Sequence, residues 1–452
     1  MFPKFRGILF KWLAQKYLSF LKILFRSKGK IPKSANFQEL IKSSGVFGNS
    51  NFDTFKFISE WHEAERKWNQ GAYFEAVEKR AMILEEIYKK QSITDAQYFP
   101  PLLSKEFGVA IGHVGLMAVH LEASRIGILP PGQRFVPITR ELASRAITKS
   151  ILFHYKEVPT ENCGEILEIP SAWHISERLQ MVRGVDGFID LYFMLEKLYS
   201  QRKVNRDNPI LALDSSYEEQ ARFFLNGLGL PINSWFVSLH VRNAGSPGLR
   251  RNQPNESYFS AIRFITSQGG FVIRIGDASM EDFPQFDNFI DLTRQKEHYW
   301  LHSYALANSE FHIGTTSGPD WIPSLFGVPT LIINTTAIGR NMHSLCDKSR
   351  FIPKHIVSNS QKWSFGRILE STEAYAESEI DIKNAKYQLE ANSEAEILHA
   401  SQEMFASVFN GEKKETFTHM SEINKVRAQL GAVGYGCISE SFISLNESSF
   451  LR

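Results

Sequence analysis

Between Trp235 and Asn334 the chain carries short apolar runs at 234–241, 271–275, 288–292, 310–313 and 329–334, separated by helical patterns at 256–268, 299–308 and 319–326. Runs this short, apolar on both faces and alternating with helices, read as parallel strands covered on both sides. The expected fold class is therefore α/β with a doubly wound sheet. In such sheets ligands bind beyond the carboxyl ends of the strands, so the loops after Val241, Ile275, Leu292 and Ile313 are the ones that matter.

The loop Gly314-Thr315-Thr316-Ser317-Gly318-Pro319 follows one of these strands and opens a helical segment. Its glycines allow close backbone approach, its hydroxyls can donate, and Pro319 suits a first helical turn, a combination that favours an anion. The same residues also suit a tight turn with a Ser/Thr cap. Neither G-x-x-x-x-G-K-[ST] nor G-x-G-x-x-G occurs here, which speaks against an ATPase or a dinucleotide dehydrogenase.

His240-Val241-Arg242 ends the first strand of the block, and an arginine there can grip a phosphate bidentately. Arg250 and Arg251 follow in a Gly/Pro/Asn-rich loop. Arg274-Ile275-Gly276-Asp277 ends the next strand; Asp277 suits either a sugar hydroxyl or the cap of the next turn. Asp291 is ambiguous in the same way. His298 and His302 have i, i+4 spacing without a partnering glutamate, a weak metal signal.

Upstream, the reading is less regular. A short apolar run at 107–111, Gly112-His113, a helix over 114–126 and a strand at 134–138 suggest a second α/β unit. His113, at a strand-to-helix junction, is the candidate general base toward an acceptor hydroxyl from the opposite wall of a cleft. Glu122 and Arg125 on that helix suit salt bridges. Residues 54–92 read as helical, with one hairpin of tetratricopeptide type around 67–76 and no second copy. After Asp347 the pattern reads as helical again.

The first 38 residues interleave Lys4, Lys11, Lys22 and Arg26, on one stripe, with Phe2, Phe5, Leu9, Trp12, Leu18 and Phe25. No run reaches transmembrane length, and the segment reads as a helix lying on an anionic membrane surface, the alternative being a first helix docked onto the body with solvated lysines. Hydrophobic content of 43% and charged content of 22% are those of a globular protein, and a net charge of +2 gives no sign of nucleic-acid binding. Three cysteines, Cys163, Cys346 and Cys437, have no metal-ligand spacing and fit a reducing compartment.

The stretch from Gly314 through Thr330, G-T-T-S-G-P-D-W-I-P-S-L-F-G-V-P-T, resembles the donor loop of GT-B glycosyltransferases and is similar to the T-x-S-G-P…G-V-P-T stretch of lipopolysaccharide heptosyltransferases. Trp321 stands near the place of a histidine in those enzymes. His240-Val241-Arg242 resembles the H-V-R element of GDP-fucose-using fucosyltransferases, with Asn243 in place of their continuation. From about Glu106 onward the chain is similar to a family of bacterial glycosyltransferases associated with surface-polysaccharide synthesis. The residues that carry this likeness are Gly112-His113, 239–242, 268–277, the 314–329 loop and 438–442.

The resemblance implies a GT-B-like fold: two Rossmann-like doubly wound domains facing a cleft, an N-terminal helical segment and a C-terminal helical extension. The expected divisions are a membrane-surface helix over 1–38, a helical subdomain over 39–100, an acceptor domain over 101–205, a donor domain over 206–346 and the extension over 347–452. It implies sugar transfer from a nucleotide-sugar donor to a lipid-linked or polysaccharide acceptor at the inner face of the cytoplasmic membrane, with residues 1–30 as the membrane contact. His240, Arg242, Arg274, Gly276, Asp277, Gly314, Thr315, Thr316, Ser317 and Gly318 would bind donor, with His113 and Arg242 catalytic. No D-x-D pair occurs in the chain, so no metal or other cofactor is expected, and charge and dipoles of the protein would stabilise the leaving group. The alternatives are a non-hydrolysing nucleotide-sugar epimerase, separable by its lack of need for an acceptor, and a non-catalytic membrane-attached adaptor that binds without turnover.

Overall fold

The computed structural model describes residues 60–90 in part, 111–131, 134–137, 155–158, 181–190, 194–242 in part, 252–295, 300–336, 342–371 in part, 386–411, and 434–450 in part. The helix expected over 1–38, most of the 39–100 subdomain with its hairpin turn, the run 107–110, and Cys163, Arg250, Arg251 and His298 lie outside the described residues.

Among the described residues, seven strands build one wholly parallel sheet. They are β1 (Phe236–Leu239), β2 (Phe271–Arg274), β3 (Phe289–Asp291), β4 (His312–Gly314), β5 (Thr330–Thr335), β6 (Arg350–Pro353) and β7 (Cys437–Ile438). Their spatial order is β3-β2-β1-β4-β5-β6-β7, every neighbouring pair parallel. The chain thus builds outward from β1 to one edge, then returns to β4 and builds toward the other. The reversal between β1 and β4 is the topological switch point of a doubly wound sheet, where a crevice opens beyond the strand ends.

Because successive strand side chains face opposite ways, each strand feeds two apolar layers. Val272 enters one and Ile273 the other; Val237 and Leu239 join Val272, while Phe236 joins Ile273. The seven helices used below, in chain order, are α1 (Tyr73–Lys90), α2 (Ile111–Arg125), α3 (Ser215–Gly227), α4 (Phe259–Ser267), α5 (Trp300–Asn308), α6 (Glu394–Phe409) and α7 (Glu440–Phe450). The Ile273 layer is closed by α2, α3 and α5 through Met117, Leu225 and Leu301. The Val272 layer is closed by α4, α6 and α7 through Ile265, Met404 and Phe442. Fully burying one such side chain stabilises the fold by about 1.5–3 kcal/mol.

Local chemistry sets where these helices begin. Asp214 caps α3 by accepting from Ser216 N at 3.0 Å. Ser393 and Glu396 form a reciprocal capping box on α6. Glu396 also accepts from His355 Nε2 at 2.8 Å and from Asn446 Nδ2 at 2.7 Å, which ties α6 to α7.

The block over 234–334 follows its expected elements closely, with two changes. The helix expected over 256–268 opens as a 3-10 turn, Asn255–Tyr258, before α4. The helix expected over 319–326 is a 3-10 turn, Gly318–Trp321, followed by a single α-turn, Ile322–Leu325. The stretch after Asp347 departs further from a helical extension. It does supply α6 and α7, but also β6 and β7 of the main sheet and a three-stranded antiparallel sheet of His355–Ser358, Gln361–Lys362 and Gln388–Glu390. The physical reason is length: β6 is four residues ending in proline and β7 only two, too short for a period to show.

The upstream unit shows α2, a parallel pair of Arg134–Pro137 with Tyr155–Val158, and an antiparallel hairpin of Met181–Gly184 with Gly187–Asp190. Two expectations are corrected there. Gly112 and His113 lie inside α2 rather than before it, because the helix starts at Ile111. And α2 does not stand across a cleft from the Gly314–Gly318 loop. A Cβ added at Gly112 would lie 2.6 Å from Gly318 Cα, and one at Gly115 would lie 2.6 Å from Ile322 Cδ1. Two glycines on one helical face let the first turn of α2 sit directly on the loop.

Candidate functional site

At the switch point the ends of β1 and β4 lie side by side, with Ser238 opposite His312 and Leu239 opposite Ile313. His240 N continues the ladder by donating to Ile313 O at 2.9 Å. This pairing brings His240 and Arg242 to the loop Gly314–Gly318. Arg242, half-buried, points Nη1 at Ser317 Oγ at 3.4 Å. Ser317 sits at the cap position of the 3-10 turn with extended backbone (φ −146°, ψ 167°), yet its side chain does not cap that turn. Its hydroxyl serves Arg242 instead, so the turn-capping reading of this loop fails at Ser317.

Beneath the loop lies a buried polar cluster that sequence reasoning missed. Asp320 is buried and accepts from two histidines, His240 Nδ1 at 2.9 Å and His312 Nε2 at 3.0 Å. Thr315 Oγ1 lies 3.4 Å from the other carboxylate oxygen. His312 Nδ1 meets Ser238 Oγ at 2.8 Å, and Ser238 Oγ meets Ser309 Oγ at 2.9 Å. Burial alone would push the Asp320 carboxyl up, but the two histidines overrule it and hold it below the usual carboxylate range. For His312 burial wins, and its ring is held below the usual histidine range despite Asp320. The one available signal was an acid between Pro319 and Trp321 in an otherwise apolar segment, since a charge there must find partners inside.

Gly314 is explained by this cluster. A Cβ on it would lie 2.2 Å from Asp320 Oδ1 and 2.5 Å from His312 Nε2. Its missing side chain makes room for the carboxylate. Thr316 faces the other way in its role: its Oγ1 is buried and has no hydrogen-bond partner. Tyr258 is wholly buried beside the cluster, and burial pushes its hydroxyl up, which the nearby Asn334 side chain only partly offsets. Buried polar groups without partners are costly and uncommon.

The second strand end divides. Arg274 is fully buried and turned into the body. Its Nη1 donates to Asp291 Oδ2 at 2.8 Å, its Nη2 to Glu281 O at 2.6 Å, and its guanidinium lies 4.0 Å from the Phe283 ring centre. It therefore fastens the loop after β2 and does not reach the crevice. Gly276 adopts φ 148°, and a Cβ there would meet Met280 Sδ at 2.3 Å, so its role is the turn itself. Asp277 caps that turn through Ser279 N at 2.8 Å. Burial would raise its carboxyl, but Ser279 and the positive fields of His240 and Arg242 hold it below the ordinary value. Asp277 thus lies at the crevice, while Arg274 and Gly276 shape it from behind.

His302 belongs to the core: its Nε2 lies 3.2 Å from Leu292 O, and burial pushes it down to about 4. Glu122 and Arg125 form the expected salt bridge at 2.7 Å, joined by Arg202 at 2.6 Å. His113 lies in the first turn of α2, beside the Gly112–Gly318 contact. Among the described residues no helix is long and apolar enough to cross a membrane.

Solved structures this chain is similar to include three glycosyltransferases. One is the E. coli ADP-heptose LPS heptosyltransferase II, at 11% identity over 56% of this chain and 89% of that one, with a TM-score of 0.36. Another is a family 9 glycosyl transferase from Veillonella parvula, at 12% identity over 66% of this chain and 95% of that one, with a TM-score of 0.38. A third is an E. coli heptosyltransferase solved with ADP, at 13% identity over 56% and 66% of the two chains, with a TM-score of 0.19. No family model and no curated protein matches the chain.

Proposed function

We propose that the protein is a metal-independent glycosyltransferase that moves a sugar from a nucleotide-sugar donor to a lipid-linked or surface-polysaccharide acceptor. One observation carries this reading: the H-V-R element and the G-T-T-S-G-P loop, distant in sequence, meet at the switch point with Arg242 against Ser317. The unpartnered Thr316 hydroxyl in the same loop supports a polar group arriving there.

In the proposed reaction the acceptor hydroxyl attacks the anomeric carbon, and the bond from that carbon to the donor phosphate oxygen breaks with its electron pair. Arg242 and the loop hydroxyls receive the developing phosphate charge. The helix after the loop is a single turn, so its dipole adds little and the arginine matters more. His113, on the α2 turn that touches Gly318, is the proposed base for the acceptor proton. Residues 1–30 are proposed to hold the enzyme at the inner membrane face, where lipid-linked acceptors lie.

The test is a panel of ADP-, GDP-, UDP- and CMP-sugars assayed for binding and turnover with and without EDTA. The reading predicts binding of at least one donor, loss of about 2–4 kcal/mol of binding or transition-state stabilisation in Arg242→Ala, and no effect of EDTA. No binding to any donor, together with an unchanged Arg242→Ala protein, would overturn it.

A further inference from the structure

We infer that the end of α3 and the turn after it form a docking surface for a second copy of this chain, paired about a two-fold axis. Phe223 is 79% exposed, Ile232 80% and Leu228 42%. The backbone beneath them is tied down. Leu228 N donates to Phe224 O at 3.1 Å, Leu230 N to Leu225 O at 2.8 Å and Ser234 N to Pro231 O at 3.1 Å. Asn226 Nδ2 donates to Leu230 O at 3.2 Å. The turn therefore folds back on the last turn of α3 and holds these apolar side chains in water on a fixed support. Phe223 meets Phe224 edge-on at 6.2 Å, and Phe224 meets Trp300 of α5 at 5.6 Å, so the outermost ring stands on an aromatic stack rooted in α5. Apolar area exposed on fixed backbone gains about 25 cal/mol per Å² when a partner covers it, and no ordering cost offsets that gain.

Charge and position select the occupant. No Asp, Glu, Lys or Arg occurs between Arg222 and Arg242, and Arg222 itself donates to the Tyr304 side chain of α5. The acids of α3, Glu218 and Glu219, lie in its amino-terminal half. Two copies of α3 packed antiparallel across Phe223 hold these acids at opposite ends of the contact, whereas parallel packing would set them side by side. The turn leads straight into β1, which begins at Phe236, so the surface lies at the edge of the sheet opposite the crevice. A bilayer at this edge would turn the crevice away from lipid, and an anionic one would repel Glu218 and Glu219. A second copy meets neither objection. A two-fold contact sets a patch against its own image, which an uncharged patch does not repel, and both crevices stay open.

The experiment is sedimentation velocity of the full chain across micromolar concentrations, with circular dichroism of every variant. The wild type is expected to reach twice the monomer mass. Phe223→Asp and Ile232→Asp should each weaken the dimer by about tenfold or more, since each puts two carboxylates on the two-fold face, and neither should alter the circular dichroism. Leu228→Asp takes the place of either variant whose circular dichroism departs from wild type. Met82→Asp, at a residue of α1 that is 66% exposed, should leave the dimer intact. A dimer that persists in both Phe223→Asp and Ile232→Asp overturns the proposal. So does a wild type that is monomeric throughout. In that case, flotation with phosphatidylcholine–phosphatidylglycerol vesicles that falls in Phe223→Asp gives the surface to lipid, and intramolecular cross-links to positions 223–232 give it to another segment of the same chain.

Discussion

Replacing Gly314 by alanine puts a methyl carbon 2.2 Å from Asp320 Oδ1 and 2.5 Å from His312 Nε2, well inside contact distance for atoms that have no free space to retreat into. The carboxylate must withdraw by about 1 Å, and doing so stretches its bonds of 2.9 Å to His240 and 3.0 Å to His312. Weakening two hydrogen bonds to a buried charge and overpacking the site together cost about 3–5 kcal/mol. That is a large part of the stability of an ordinary domain. Urea unfolding followed by far-UV circular dichroism measures it. The account also predicts non-additivity: in an Asp320→Ala background, where the clash with the carboxylate is gone and only that with His312 Nε2 remains, Gly314→Ala should cost at least about 1 kcal/mol less. A Gly314→Ala protein within about 0.5 kcal/mol of wild type would refute the reasoning, and would return Gly314 to the role of a ligand-approach glycine.

Two further outcomes are expected. Glu396 is held down to about 2 from an ordinary 4.5: burial works against this, but the bonds from His355, Ser393 and Asn446 prevail. A depressed carboxyl gives stability that is present above about pH 4.5 and lost as pH falls toward 2, so the melting temperatures of wild type and Glu396→Gln should converge across that interval. Arg274→Met removes two hydrogen bonds and strands the Asp291 carboxylate's partner oxygen, and should destabilise the fold by about 2–4 kcal/mol in urea titration.

The sheet over 234–334 was legible because each strand is an apolar run bounded by polar loops, the signature of burial on both faces. Its strands fall within one or two residues of their expected ends. What sequence could not show was long-range. β7 has two residues and takes its place beside β6 only through the fold, and β6 ends in Pro353, which reads locally as a stop. The candidate site divides along the same line. His240, Arg242 and Ser317 were legible because strand-end position and side-chain chemistry agree. Arg274 has the same local signal but faces the body, since one residue's shift along a strand reverses its direction. Asp320 and His312 carried no readable role, because the role lies in a contact between β1, β4 and the turn after it. Gly112 and His113 looked like a strand-to-helix junction, and the role of Gly112 with Gly115 as a close-packing face appears only once α2 is seated on Gly318 and Ile322.

The central claim is that a diphosphate is held at the β1/β4 switch point. A crystal structure of the protein with a sugar nucleotide drawn from the donor panel tests it most directly. The account predicts the phosphate beside the donor sugar within about 3.2 Å of the Arg242 guanidinium and of His240 Nε2, with Ser317 and Thr316 turned toward the same group. A diphosphate bound away from the ends of β1 and β4, with Arg242 still on Ser317 and His240 untouched, would contradict it.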